Sequence, residues 1–519
     1  MSTGMSDVIV IGAGTGGLTA AAYLATAGQH VVVVDRGATP GGHGSVFTRD
    51  GCEFDIGLHY LGSGRDGRPA PDPLLEPLGI TLSYHRLEPV DTIVLPDATV
   101  EVATGLENFR AALHDALPAE RGAVDRYLAL IDGLDAELWR LQRLRGPADV
   151  PAAVWNARDL LRHRRTTLAD VFEDLGLSAR ARAILGWISG VYAVPPSEAS
   201  FLAHAMVTMH YLHGAWYPRG GGAVISQRLA EVIRSHGGEI LLGHEVSRIQ
   251  ADSDGVTGVL ARTRDGVEVR LAAAAVVAAG DLKRTVLDLL DPQDVTRELR
   301  RKVRGYDMAL PLGVVYAILD RDLAAEGLPA TNWLVTGGDP EAEYADLRRG
   351  EFAVDPSVWI TSASLKDPGN ARLCAPGQSN VQLMTVVPAH PAAWGVAMGT
   401  ERGAAYAQAK DRFRRQLLAA ADRAIPGFAD AVVHDAVATP LTFQRHLGVT
   451  DGTSYGIAAT PDQMVMGRPG PRTPIRGLFL AGASTRSGHG ITGTMAGGME
   501  AASAVLGAPA MAAARRAAG

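Results

Sequence analysis

Three glycines near the start of the chain have the spacing of a phosphate-binding turn. Gly12, Gly14 and Gly17 form a Gly-x-Gly-x-x-Gly pattern directly after the apolar residues 8–11. The first glycine permits a tight turn, the second lets the backbone approach a pyrophosphate, and the third permits close packing of helix on strand. Asp35, about 20 residues further on, could accept hydrogen bonds from ribose hydroxyl groups. The pattern predicts a dinucleotide site; the alternative is a glycine turn of another α/β protein.

Two buried strands and one helix would have to position these residues. Residues 8–11 and 31–34 are continuous apolar runs, which are typical of parallel strands buried on both faces. Leu18 and Ala22 follow the glycines at helical spacing. A helix beginning there would present free N–H groups and the positive end of its dipole to a phosphate. After Asp35 the chain makes a glycine loop where a third strand would be expected.

Two further glycine-rich segments lie far apart in the chain. Residues 36–45 contain Gly41, Gly42 and Gly44, which allow a positive φ or a close approach to a ligand. Residues 477–484 predict a short buried strand that ends at a glycine. The helix predicted to begin at residue 490 would stabilise negative charge at its first turn.

Together these motifs resemble the FAD-dependent amine oxidase and phytoene desaturase superfamily. The segment Phe54-Asp55-Ile56-Gly57-Leu58-His59-Tyr60-Leu61-Gly62 is closer to retinol saturase-like and carotenoid isomerase-like members than to the bacterial phytoene desaturases. The latter usually carry Arg where this chain has His43. The resemblance implies that the first glycine motif holds the ADP half of FAD and that the second glycine loop passes close to the flavin.

The resemblance also implies which residues form the site. The residues expected to bind FAD are Gly12, Gly14, Thr15, Gly16, Gly17, Asp35, Arg36, Gly41, Gly42, His43, Gly44, Ser45, Val246, Gly482, Gly490, Ile491 and Thr492. The candidates for catalysis beside the flavin are His59, Tyr60 and His489, with Arg486 also considered. A histidine here could move a proton, or could only hydrogen-bond the flavin or the backbone. Residues 484–499 contain no cysteine to tether a flavin, so non-covalent FAD is predicted.

The reaction implied by the resemblance takes place at a carbon–carbon bond of an apolar isoprenoid or polyene, such as a carotenoid or retinoid. It could be desaturation, saturation or isomerisation. Two alternatives stay open: an FAD-dependent oxidase of an amine or other small natural-product intermediate, and a flavoprotein without turnover of its own. The sequence leaves the substrate, the direction, the electron acceptor and the oligomeric state open.

The predicted fold class is α/β, with a Rossmann-type FAD-binding domain and an inserted α+β substrate domain. Residues 1–90, 215–285 and 450–519 are assigned to the FAD-binding domain, and residues 91–214 and 286–449 to the substrate domain with its mixed sheet and helical cap. Within these domains, residues 106–207 are predicted to be mainly helical. Residues 239–249 are predicted to form a single strand.

The composition limits the binding partners and the cellular location that are expected for this protein. The formal net charge of −7 argues against nucleic acid as a main partner, and the two cysteines predict neither a disulfide framework nor a cysteine metal cluster. No secretory signal or 18-residue apolar segment is found, so a cytoplasmic location is predicted. A basic helical region beside an apolar stripe predicts either contact with a membrane surface or a solvated helix face. Its arginines are Arg140, Arg143, Arg145, Arg158, Arg162, Arg164 and Arg165. The stripe consists of Leu134, Leu138, Leu141 and Leu144, with Trp139 beside it.

Overall fold

The apolar residues 8–11 lie at the centre of a seven-stranded sheet. A computed structural model gives the fold and describes residues 6–142, 157–336, 338–397 and 402–518. The sheet has a parallel part and an antiparallel part that share one long strand. Its strands, in spatial order, are Glu239–Leu242, Val31–Asp35, Ser6–Ile11, Glu268–Ala278, Gly255–Thr263 and His244–Asp252, with Leu478–Leu480 beside Glu268–Ala278.

The prediction of a single strand over residues 239–249 is wrong. The structure divides it at Gly243, which has a φ of 70°. Residues before this glycine pair in parallel with Val31–Asp35, and residues after it turn into the antiparallel part. Glu239–Leu242 is therefore the third parallel strand that is missing after Asp35, supplied by a segment about two hundred residues later in the chain.

A second seven-stranded sheet is mixed, as predicted for the substrate domain. Its strands, in spatial order, are Val432–Ala438, Leu312–Leu319, Ser379–Val386, Val358–Thr361, Asn332–Val335, Asp91–Val94 and Thr99–Val102. One face packs against the helix Ala404–Ala424 through Phe413 and Leu417. The opposite face carries Val314, Tyr316 and Met384, which lie toward the interior of the molecule.

Helices cover the remaining faces. The first helix, Thr15–Thr26, contacts Val224–Ser235, Gly490–Leu506 and Ala510–Ala518. The predicted helical cap consists of Leu106–Ala116, Arg121–Gln142, Arg158–Arg162, Leu168–Asp174, Ala179–Leu185 and Phe201–Leu212. Shorter helices elsewhere are Asp72–Leu75, Leu282–Leu287, Arg297–Arg304, Pro340–Arg348, Ala363–Lys366 and Pro440–Leu447. Small sheets are made by Val46–Arg49 with Cys52–Asp55, and by Leu61–Gly62, Ala215–Pro218 and Tyr84–Leu87.

The first helix and the helix Gly490–Leu506, here called the Gly490 helix, touch backbone to backbone. A Cβ atom added to Gly498 would overlap the carbonyl oxygen of Gly16. In the same way, a Cβ atom added to Gly17 would overlap the carbonyl oxygen of Gly12. The approach of Gly498 to Gly16 joins two segments that lie near the two ends of the described sequence.

The predicted fold class is confirmed, while the division into domains stays a prediction. All strands of the first sheet fall in the segments assigned to FAD binding, and all strands of the second sheet fall in those assigned to the substrate. Leu289, Val303 and Tyr306 extend the core of the first sheet somewhat beyond residue 285.

Contact of the basic helical region with a membrane surface also stays a prediction. Leu134 of the stripe is buried, and Leu138 and Trp139 line an internal cavity. Arg143, Leu144 and Arg145 lie outside the described residues. Among the described residues, no helix is long and apolar enough to cross a membrane.

Candidate functional site

One large cavity lies between the glycine loops of the first sheet and the interior face of the second. Its volume is about 1490 Å³, which exceeds the roughly 300–1,000 Å³ of an ordinary ligand pocket. The volume leaves room for a dinucleotide and a second molecule. Its lining changes from glycine-rich loops, with Gly12, Gly14, Gly41 and Gly482, to apolar and aromatic side chains, with Trp187, Tyr211, Leu334, Trp359, Met384 and Val386.

The two N-terminal glycine loops meet at one end of this cavity. Gly12 has a φ of 100°, which makes the tight turn that the motif requires. The backbone N–H of Gly41 donates to the carbonyl of Ala13 at 2.7 Å. The carboxylate of Asp35 accepts from the N–H groups of Ala13 and Gly37, each at 2.6 Å. Each carboxylate oxygen keeps a second lone-pair direction for a ligand hydroxyl group.

Two helices begin at the cavity without a side-chain cap. The first helix is preceded by Gly14, and a Cβ atom added there would have no neighbour within 4 Å. The Gly490 helix is preceded by His489, whose side chain does not cap it. Uncapped helix starts leave N–H groups free and favour a negatively charged partner. Both starts therefore suit an anionic cofactor such as FAD.

Buried polar atoms along the cavity wall point to the same kind of ligand. Nε2 of His43, Nδ1 of His59 and Oγ of Ser487 are buried and have no hydrogen-bond partner among the described residues. All three residues line the cavity. A buried polar atom without a partner is costly, so its presence argues for a ligand that completes the bond.

Most of the site residues expected from the sequence are brought together here. The lining includes Gly12, Gly14, Thr15, Gly16, Asp35, Arg36, Gly41, Gly42, His43, Ser45, His59, Tyr60, Val246, Gly482, His489, Gly490, Ile491 and Thr492. Gly17 and Gly44 lie behind the wall, where added Cβ atoms would overlap Gly12 and Thr15. Arg486 is exposed and is not part of the lining. Among the described residues, no cluster of three or more His, Cys, Asp or Glu side chains could hold a metal ion.

The candidate histidines are neutral near pH 7. Burial lowers the pKa of His59 to about 3 and that of His489 to about 3. Lys366 near His59 and Arg468 near His489 act in the same direction. Neither side chain therefore holds the imidazolium proton that a general acid would give up.

A buried lysine directly behind His59 was missed by the sequence analysis. Lys366 is 1% exposed, and its ammonium group donates to the carbonyl of His59 at 2.8 Å. The same group donates to Oγ1 of Thr361 at 2.5 Å and to Oδ1 of Asn332. Burial lowers the pKa of Lys366 to about 7. The three contacts use all three donors of the ammonium group.

The network continues from Asn332 to a buried carboxyl group. Nδ2 of Asn332 donates to Asp91 at 2.8 Å, and Asp91 is 0% exposed. The carboxyl also accepts from the hydroxyl of Tyr60 at 3.2 Å and from the indole of Trp187 at 2.9 Å. Burial raises the pKa of Asp91. The hydroxyl of Tyr60 is thus tied to a group able to exchange a proton with it.

FAD is the cofactor that this fold and cavity define, and the chain is a flavin-dependent oxidoreductase. A profile of the family described as flavin-containing amine oxidoreductase matches residues 15–506. The chain belongs to this family. The resemblance stated from the sequence, the FAD cofactor and the enzyme class are confirmed.

Individual relatives are similar over nearly the whole chain. An all-trans-retinol 13,14-reductase of Macaca fascicularis is 30% identical over 96% of this chain and 85% of its own. A neurosporene-forming phytoene desaturase of Rhodobacter capsulatus is 26% identical over 98% of this chain and 95% of its own. A structure of putrescine oxidase bound to putrescine is 18% identical, with a TM-score of 0.66 over 97% of this chain and 99% of its own. The last similarity shows the fold alone.

Proposed function

We propose that this enzyme adds or removes hydrogen at a carbon–carbon bond of an apolar polyene, such as a retinoid or carotenoid. The observation that carries the proposal is the apolar row across the cavity face of the second sheet. The row consists of Val314, Met384, Trp359 and Leu334, which are neighbours in strand register. Relatives that act on retinol and phytoene support the proposal.

The loops and helix starts around the glycine end of the cavity would hold FAD there without a covalent bond. Neither Cys52 nor Cys374 lines the cavity, so no thiol is placed to tether a flavin. The bound cofactor supplies two-electron redox chemistry to the site. The protein then has to hold the polyene against it, exclude water and move one proton. Leu334, Trp359 and Met384 would serve the first two roles.

We propose that Tyr60 transfers the proton that the reaction adds to or removes from a substrate carbon. Its ring is stacked on Tyr211 with 4.2 Å between ring centroids, so the ring is fixed in the cavity wall. Its hydroxyl is hydrogen-bonded to Asp91, which would return or accept the proton. His59 and His489 are left to donate hydrogen bonds as neutral imidazoles. In desaturation Tyr60 takes the proton from carbon as it gives its own proton to Asp91, which accepts from it in the structure. In saturation the same steps run in reverse from a protonated Asp91, a form that burial favours because it raises the pKa of this carboxyl group.

An anaerobic redox assay tests the reaction class. The purified enzyme, from which acid should release the flavin, is mixed without oxygen with retinol, phytoene or putrescine in separate experiments. Bleaching of the oxidised enzyme by phytoene, or recolouring of the reduced enzyme by retinol, is the expected result. Bleaching by putrescine alone would establish the amine-oxidase alternative. No response to any of the three would contradict the proposal.

The variant Tyr60→Phe tests the proton assignment. It should lower the turnover rate of the polyene substrate about 10²–10⁴-fold, the range expected when a general acid or base is removed. Flavin content and substrate KM should stay unchanged because the ring remains in place. Tyr84→Phe is the matched control, since it removes a tyrosine-to-Asp72 hydrogen bond outside the cavity. A Tyr60→Phe rate within threefold of the wild type would remove Tyr60 from the mechanism.

A further inference from the structure

A second group of polar side chains lies where the strands of the second sheet end. Thr336 follows the strand Asn332–Val335, and Glu343 and Tyr344 lie on the next helix, Pro340–Arg348. Ser357 precedes the strand Val358–Thr361, on which Trp359 lies. All five side chains line the cavity, and the mechanism proposed above uses none of their polar groups.

Two hydrogen-bond donors of this group have no partner in the part of the chain that the structure describes. Tyr344 is 3% exposed, and its hydroxyl has no hydrogen-bond partner among the described residues. The indole N–H of Trp359 is likewise buried and unpaired. Buried donors are almost always satisfied in folded proteins, so two orphans in one cavity wall indicate that a ligand pairs with them.

Glu343 adds an acceptor. Both oxygens of its carboxyl group accept a hydrogen bond from the backbone N–H of Ser357 at 3.2 Å. A carboxylate has about four lone-pair directions, so it can accept a further hydrogen bond from a ligand. Burial raises the pKa of Glu343 to about 7, and the neighbouring Asp355 and Asp346 act in the same direction.

The far end of this polar group, at Thr336, is separated from Asn332 and Lys366 by an apolar stretch of wall. Thr336 is four residues beyond Asn332, which corresponds to roughly 13 Å along a strand. Between them the wall is formed by Leu334, with Trp359 in register beside it. An elongated apolar molecule would span this distance, with the reacting bond near Tyr60 and one end at Tyr344.

We propose that Glu343, Tyr344 and Trp359 form a subsite for a terminal hydroxyl group on an otherwise apolar substrate. The proposal rests on the function proposed above and narrows it to polyene alcohols. The hydroxyl oxygen accepts from Tyr344 and from Trp359, and its proton is donated to Glu343. A hydrocarbon end would leave both donors unpaired, and a carboxylate end would face the carboxyl group of Glu343.

The test compares three ligands that differ only at one end. All-trans-retinol, its hydrocarbon analogue without the hydroxyl group, and retinoic acid are titrated into the FAD-loaded enzyme, and the dissociation constant is read from tryptophan fluorescence quenching. Retinol should bind about tenfold or more tightly than either of the others, which corresponds to about 1.4 kcal/mol. Tyr344→Phe and Trp359→Phe should each reduce that preference to about threefold or less.

Thermal unfolding separates this role from a structural one. Tyr344→Phe removes an unpaired hydroxyl, so the ligand-free variant should melt at the same temperature as the wild type or higher. Tyr306→Phe, whose hydroxyl donates to the carbonyl of Gly467 away from the cavity, is the control. That control should lose some thermal stability and keep the full preference for retinol.

The outcomes separate the subsite from the proposed function. Equal binding of retinol and its hydrocarbon analogue, in an enzyme that turns over a polyene, would overturn the subsite and leave the function standing. A preference that survives both Tyr344→Phe and Trp359→Phe would do the same. An enzyme that neither binds nor turns over any polyene would overturn both.

Discussion

Gly17→Ala should yield a poorly folded protein without flavin, whereas Gly14→Ala should yield a folded protein that binds FAD weakly. A methyl group at Gly17 would overlap the carbonyl oxygen of Gly12, and the backbone there is fixed by the sheet. Such an overlap should cost at least about 4 kcal/mol of stability. A methyl group at Gly14 meets no protein atom within 4 Å, and the φ of −69° suits alanine.

Gly14→Ala is the matched control because both variants add the same methyl group within four residues of each other. Its methyl group would occupy the space where the phosphates are proposed to approach the backbone, so FAD affinity should fall about tenfold or more. Urea unfolding of the flavin-free proteins measures their stability, and flavin titration measures their affinity for FAD. Unchanged FAD affinity in Gly14→Ala would contradict the assignment of this loop to the cofactor.

Lys366→Met should lower turnover about 100-fold and destabilise the fold by about 3 kcal/mol. The substitution keeps the length of the side chain but leaves the buried acceptors of Thr361 and Asn332 unpaired. It also frees the carbonyl of His59, which the ammonium group holds. A misplacement of about 1 Å in a reacting group can cost about 10²-fold in rate. Lys302→Met, at an exposed lysine, is the control and should change neither property.

The same variant should alter how stability depends on pH. Burial lowers the pKa of Lys366 from 10.5 to about 7, so between these values the unfolded chain holds a proton that the folded chain lacks. This group therefore adds stability as pH rises from 7 toward 10.5 and loses it as pH falls through 7. The stability difference between wild type and Lys366→Met should widen between pH 7 and 9. A constant difference over that range would show that Lys366 stays fully protonated in the fold.

The glycine end of the site was predictable because its rules are local. The turn at Gly12, the close packing at Gly17 and the open backbone at Gly14 each follow from neighbours a few residues away. Short apolar runs also predicted the strands at residues 8–11 and 31–34 of the first sheet. The break at Gly243 was missed because a glycine within an apolar run can also continue a strand.

The network behind Tyr60 was not predictable in the same way. Asp91 is 241 residues from Asn332, and Lys366 is a further 34 residues on; only strand register and a short helix bring the three together. Single polar residues of this kind are usually solvated, so the sequence alone gives no reason to join them. The residues around Lys366, Thr361 to Asn370, are mostly polar or small, so they give no sign that this lysine is buried.

The backbone contact between Gly16 and Gly498 has a consequence for how the protein is made. The helix that covers the first helix is translated more than 460 residues after it, and the third parallel strand is translated more than 200 residues after it. Contacts between such distant segments slow folding, because a long loop must close before they form. The first strand and helix of the nascent chain therefore remain exposed while the residues between them and the Gly490 helix are synthesised. We expect chaperones to bind the nascent chain during this time. The cavity that would hold FAD is complete only after residues 490–496 have emerged.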